Sequence, residues 1–377
     1  MNDTVVDSSA DRRTELQHGN GSSIATGARS VIGGARKFGR RSFVKGLAIG
    51  GASLLPLAST LTAQDDKNQK PQNITKGDAD ILRFLAAAEI LETDLWQQYT
   101  EFSTLDGPYM DALETIDDDM PVYVVQNTND EFSHGNFLNA FLAKNHQQPV
   151  NLEPFRTLPG SPVAPKPTPR LTNLMHLNVD TSWYLRYRST GNPDLGATFG
   201  QVVTIKDRPG IPVKDQSLYT ADQIQAIANT AAFHFAMIEQ GGSSLYDALS
   251  LNCSTPLALR IVTSIGGTEV AHFEIWHDKA GDAPPVDSGD GLVFPDLNTN
   301  PDTTTNLVMP RPCAFISDDL PLCSIIRPTS IPLAGASAAV KFLTDTGLFV
   351  GQSPAFFKLL AELADAADSA GRNNKDA

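Results

Sequence analysis

Glu131-Phe132-Ser133-His134 and Glu269-Val270-Ala271-His272 are the stretches on which the reading of this chain turns. Eleven Glu and seven His among 377 residues should rarely fall in the pattern Glu-x-x-His, yet besides Glu15/His18 near the N-terminus it occurs at these two places and, third, at Glu274/His277. On a helix, residues three apart share a face and can aim at one point. Glu131 and His134 lie in the row Val124, Thr128, Glu131, His134, Leu138, Phe141, and Glu269 and His272 in the row Ala258, Val262, Ile265, Glu269, His272, Trp276. Both rows are apolar enough to be buried, so each pair points inward. Glu274 and His277 follow Arg260, Thr263 and Gly267, a mostly polar row, and this third pair is expected to be solvated.

Working outward, two further helical periods each carry a Glu in an apolar row. Glu89 lies in Leu82, Leu85, Glu89, Trp96, and Glu239 in Ala228, Ala232, Phe235, Glu239, Tyr246. Taken singly, Glu89 reads as a solvated helix charge, with Glu92 an alternative inward residue. Glu239 could pair with an Arg or yield its place to His234, and either paired His could be an ordinary core histidine. Jointly the order Glu, Glu-x-x-His, Glu, Glu-x-x-His is hard to explain that way, because buried carboxylates need partners or metals. Four carboxylates and two neutral imidazoles balance two divalent cations, iron or manganese, in charge and in ligand type. The expected metal ligands are therefore Glu89, Glu131, His134, Glu239, Glu269 and His272. Gly241-Gly242 and Gly266-Gly267 stand close to them in sequence, which suggests either close helix approach or a local bend. Tyr99 and Tyr246 on the same helices read as core, with a redox role as the alternative.

The segments predicted to be helical run from about Asp78 to Glu101, Pro121 to Ala143, Thr220 to Leu249, and from a turn at Asn252–Pro256 to Asp278. A long connection, about residues 145–219 and rich in Pro, Thr and Arg, lies between two shorter ones. That spacing predicts an all-α ferritin-like four-helix bundle over residues 78–280, with the long crossover between helices 2 and 3. Residues 281–377 form an extension, a loop followed by helical stretches near Ala334–Asp345 and Ser353–Ala370, the last of them amphipathic and expected to pack on the bundle.

The first 63 residues carry eight Lys/Arg against four Asp/Glu, within a chain of formal net charge −14. Such acidity argues against nucleic acid, which rewards Lys and Arg at its phosphates. Gly39-Arg40-Arg41-Ser42-Phe43-Val44-Lys45 precedes the apolar run Gly46–Ala58, which is too short to span a bilayer and reads as a signal core. Paired Arg followed by Phe and Lys predicts a twin-arginine signal over 1–63, with cleavage after Ala63, a linker at 64–77 and a periplasmic or otherwise extracytoplasmic location. The export machinery is then a partner. Cys313 and Cys323 could pair in an oxidising compartment, and no Cys-x-x-Cys is present.

Over residues 76 to 280 the chain resembles bacterial ferritin-like domain proteins related to desiccation-related proteins. The resemblance rests on Asp78-Ala79-Asp80-Ile81-Leu82, Ala87-Ala88-Glu89, Glu131-Phe132-Ser133-His134 and Glu269-Val270-Ala271-His272, and the crossover from Leu171 to Asp207 is similar to that of exported members. It implies a ferritin-like fold and a two-metal centre, and no settled activity. Two functions follow as expectations. One is redox chemistry on oxygen or peroxide, or iron handling, in stress protection. The other is a non-enzymatic structural or desiccation-protective protein with a vestigial or structural metal site. A homo-oligomer is compatible with either, whereas a storage cage would have to accommodate the crossover and the extension.

Overall fold

A computed structural model describes residues 74–186, 195, 200–299, 312–324 and 331–371. The twin-arginine motif, the cleavage site and the linker up to residue 73 lie outside them. The described chain is mostly helical. Its elements are α1 (Lys76–Ser103), α2 (Pro108–Ile116), α3 (Met120–Lys144), β1 (Leu177–Val179), α4 (Trp183–Arg186), β2 (Ile205–Arg208), α5 (Ala221–Ser250), α6 (Pro256–Gly281), β3 (Val286–Asp287), β4 (Val293–Phe294), α7 (Ile331–Ala334), α8 (Ala336–Asp345) and α9 (Pro354–Ser369). No described helix is long and apolar enough to cross a membrane.

Helix starts follow local chemistry. Thr75 caps α1 through the backbone N–H of Asp78, whose carboxylate returns a bond to the Thr75 backbone, and Thr220 and Gln223 repeat this reciprocal cap on α5. Thr255 caps α6, with Pro256 at the first helical position, where its missing N–H loses nothing. Asp78 also accepts from the Ser254 backbone N–H at 2.7 Å, tying the start of α1 to the α5–α6 turn.

Helix α1 packs along α3 and α5 along α6, while α6 also meets α1 and α3. The facing stripes bury Leu82, Leu85, Trp96, Val124, Leu138, Phe235 and Trp276, none more than 1% exposed. Helix α9 lies on α1, as its amphipathic pattern predicted. The connection before α3 is not plain loop: Pro108 opens α2, whose Tyr109, Ala112, Leu113 and Ile116 are buried.

The long crossover also departs from an open loop. Strands β1 and β2 pair antiparallel, and Trp183 and Tyr184 of α4 are buried, at 0% and 1% exposure. Its anchor is Asp94 on α1, which is fully buried. One carboxylate oxygen accepts from the backbone N–H groups of Leu171 at 3.0 Å and Thr172 at 2.9 Å and from the Thr172 hydroxyl at 2.7 Å, while the other meets the Arg156 guanidinium. Gln352 joins the extension to the same segment, donating to the carbonyls of Leu171 at 2.8 Å and Phe155 at 3.0 Å.

This packing overturns one sequence expectation. His277 is fully buried, not solvated, and its ring stacks on Tyr184 at 5.4 Å between centroids with Trp183 and Phe273 around it. The crossover supplies the cover over what would otherwise be a polar helix face. Cys313 and Cys323 sit opposite each other in an antiparallel bridge with backbone bonds of 2.9 and 3.0 Å, both thiols free.

Candidate metal centre

The structure brings the six predicted ligands together at the meeting of α1, α3, α5 and α6. Glu89, Glu131, Glu239 and Glu269 are fully buried, while His134 and His272 keep 9% and 6% exposure. Their ligand atoms form two overlapping groups. Glu89, Glu131, His134 and Glu269 make one, and Glu131, Glu239, Glu269 and His272 the other, with the atoms of each group within 4.8 Å of one another. Glu131 and Glu269 belong to both.

Both imidazoles turn Nδ1 inward. His134 Nδ1 lies 3.2 Å from Glu131 and 3.4 Å from each of Glu89 and Glu269, and His272 Nδ1 lies 3.1 Å from Glu131 and 3.3 Å from Glu239. Several of the inward atoms, including both carboxylate oxygens of Glu269, Glu239 Oε2 and His272 Nδ1, have no hydrogen-bond partner. A buried native polar atom without a partner calls for an explanation. Two divalent cations would satisfy these atoms together and neutralise four carboxylates, so the residues fit such a group.

Supporting residues were not legible beforehand. Asn127 donates to Glu131 and to Glu239, each at 2.8 Å, and accepts from the Trp276 indole N–H at 2.8 Å. It stands four residues before Glu131, a spacing that could have flagged it. His272 Nε2 lies 3.1 Å from Asp130, which fixes the ring so that Nδ1 faces the cluster. The Tyr246 hydroxyl donates to Glu89. Of the alternatives weighed from sequence, Glu92 joins neither ligand group, and His234 turns to Tyr99 instead.

Electrostatics without metal are strained by crowding. Burial, reinforced by the Glu131 charge, pushes Glu89 up to about 8, and burial with neighbouring carboxylates also raises Glu92, Glu239 and Glu269. Burial acts the same way on Glu131, but the imidazoles of His134 and His272 beside it outweigh burial and lower this group to about 2. Burial opposes charge on both imidazoles, and their carboxylate neighbours overcome it and raise both. A sign follows for the metal-free protein. Between pH 6.5, the ordinary imidazole value, and about 8, the folded chain holds protons on Glu89, His134 and His272 that the unfolded chain releases. Glu131 is ionised in both states there and adds no slope. Stability of the metal-free form should therefore fall across this window by up to roughly 4–6 kcal/mol, at about 1.4 kcal/mol per proton per pH unit, measured as the denaturant midpoint, and flatten when metal is bound.

The glycine pairs acquire specific reasons. Both helices run through them unbroken. A Cβ on Gly242 would stand 2.7 Å from Glu269 Oε2, and one on Gly266 2.8 Å from Tyr246 Cβ, whereas one on Gly267 would meet nothing within 4 Å. Gly242→Ala should therefore weaken metal affinity by about 10–100-fold in a titration, by displacing a shared ligand. Gly267→Ala should leave affinity unchanged and stabilise the fold by roughly 0.5–1 kcal/mol through helix propensity.

No family model, curated protein or solved structure matches this chain.

Proposed function

We propose that the chain is an exported protein with a ferritin-like four-helix bundle and a two-metal centre of iron or manganese, acting on oxygen or peroxide, or handling iron, in stress protection. The observation that carries this reading is the pair of overlapping ligand groups that share Glu131 and Glu269, with two imidazoles turned inward by Nδ1. Bound metal would supply electrons and an open coordination position for a small oxidant. Glu131 and Glu269, members of both ligand groups, would serve both ions, with Glu89 and His134 completing the set for one and Glu239 and His272 for the other. Asp130 holds the His272 ring. Trp96, Trp276 and Phe235 form a dry wall on one side, while the exposed edges of His134 and His272 mark the side nearest solvent.

Export rests on the Arg40-Arg41 motif, and the twin-arginine route suits a protein that folds around its metal before leaving the cytoplasm. The test is a reaction of the chain from residue 64 onward, loaded with ferrous iron without oxygen and then mixed with oxygen or hydrogen peroxide. Rapid oxidant consumption coupled to iron oxidation, lost in Glu131→Gln, is the expected result. Tight metal binding with no faster oxidant consumption than free iron would contradict it and leave a structural metal site in a protective protein.

A further inference from the structure

One fully buried group plays no part in holding metal. Asn127, which bonds Glu131 and Glu239, also receives the Trp276 indole N–H at 2.8 Å. Trp276 stacks on Trp96 with centroids 5.4 Å apart and planes 24° apart, and Trp96 lies 6.0 Å from Tyr99. Phe235 fills the space between them, 4.8 Å from Trp96 and 4.6 Å from Tyr99. The Tyr99 hydroxyl is 2.8 Å from His234 Nδ1, and His234 Nε2 has no partner. All five rings are at most 1% exposed. Core packing accounts for the aromatic volume. It does not account for a phenol–imidazole pair sealed in that core, nor for an indole N–H aimed at the one amide that holds two ligand carboxylates.

We infer that Trp276, Trp96 and Tyr99 form an electron relay leading from the metal centre, with His234 the acceptor of the Tyr99 phenolic proton. The relay rests on the two-metal reading above. When hydrogen peroxide is reduced at the centre it takes two electrons and two protons and leaves as two waters. One electron comes from the reduced metal and the other from Tyr99 by way of Trp96 and Trp276, with the two protons drawn from solvent. As the Tyr99 electron departs, its O–H bond breaks and the proton moves to His234 Nδ1, leaving a neutral phenoxyl radical beside an imidazolium. Burial holds His234 down at about 3, so the resting ring is neutral and its Nδ1 lone pair is open to the hydroxyl. A one-electron-oxidised phenol is a far stronger acid than imidazolium even at that value. Trp96 and Trp276 shuttle electrons without holding them, and the Tyr–His pair retains the oxidising equivalent.

The experiment loads the chain from residue 64 onward with ferrous iron, adds hydrogen peroxide, and freezes samples for electron paramagnetic resonance, with metal content measured on the same samples. A transient organic radical is expected, its hyperfine pattern altered by ring-deuterated tyrosine. It should be absent in Tyr99→Phe, which removes one oxygen and keeps the ring, and reduced about tenfold or more in His234→Gln. Trp96→Phe should slow its appearance about tenfold or more while metal content stays at the wild-type level. A signal that persists in Tyr99→Phe, or that disappears only in Tyr246→Phe, overturns the relay and leaves the metal centre standing, as does peroxide consumption with no radical. A chain that takes up no iron overturns both readings.

Discussion

Replacing both shared carboxylates, as Glu131→Gln plus Glu269→Gln, should empty the centre, taking bound metal from about two ions per chain to essentially none. Each of these residues serves both ligand groups, so neither position survives their loss. Breaking one partner of a buried charged set costs on the order of 3–5 kcal/mol, which per position corresponds to more than a hundredfold in affinity. Without metal most of the difference should vanish. In the wild type, burial and mutual repulsion hold Glu269 protonated above its usual range, a strain that Glu269→Gln relieves, while Glu131, held ionised by His134 and His272, is the carboxylate whose loss costs the metal-free fold. The metal-free variant should then melt close to the metal-free wild type, and well below the metal-loaded wild type. Calorimetry of all four samples checks this. A variant that melts lower in both states would mean that the carboxylates are structural ion-pair partners of His134 and His272.

The second large effect lies away from the candidate metal centre. Asp94→Ala should destabilise the fold by about 3–5 kcal/mol, because it strips the acceptor from two backbone N–H groups, a hydroxyl and a guanidinium at once. Arg156 is partly exposed and water will recover some of its share, so the loss falls mainly on Leu171 and Thr172. These residues hold the crossover on α1, and the crossover covers His277 through Trp183 and Tyr184. Limited proteolysis should therefore cut the Asp94→Ala chain within residues 145–219 before anywhere else in the described helices. Equal protease resistance and an unchanged denaturant midpoint would show that the crossover is held elsewhere.

What could be read in the sequence and what could not divides along one physical line. Periodicity reports which side of a helix is apolar, so the four long helices and the inward aim of Glu89, Glu131, Glu239 and Glu269 were legible. His134 and His272 were legible because a three-residue spacing carries them to the same face as their Glu. Periodicity says nothing of what a remote segment later lays on a polar face, and His277 was misread for that reason. The β1–β2 pair was invisible because strands of three and four residues leave no alternation to detect. Helix α2 did carry a signal, Pro108 followed by apolar residues at helical spacing, within a connection read only as a link. Asn127 and Asp130 resemble surface polar residues until α6 is placed beside α3, and Gly242 and Gly266 could be told from Gly241 and Gly267 only by the neighbours they face.

The central claim is that two metal ions sit between His134 and His272, sharing Glu131 and Glu269. The direct measurement is anomalous diffraction from crystals of the metal-loaded protein, recorded on both sides of the iron and manganese absorption edges, with elemental analysis of the same preparation. The account expects two peaks, one in contact with Glu89 and His134 and the other with Glu239 and His272, and about two iron or manganese ions per chain. A single peak, or protein that stays metal-free after preparation with ample iron and manganese, would contradict it.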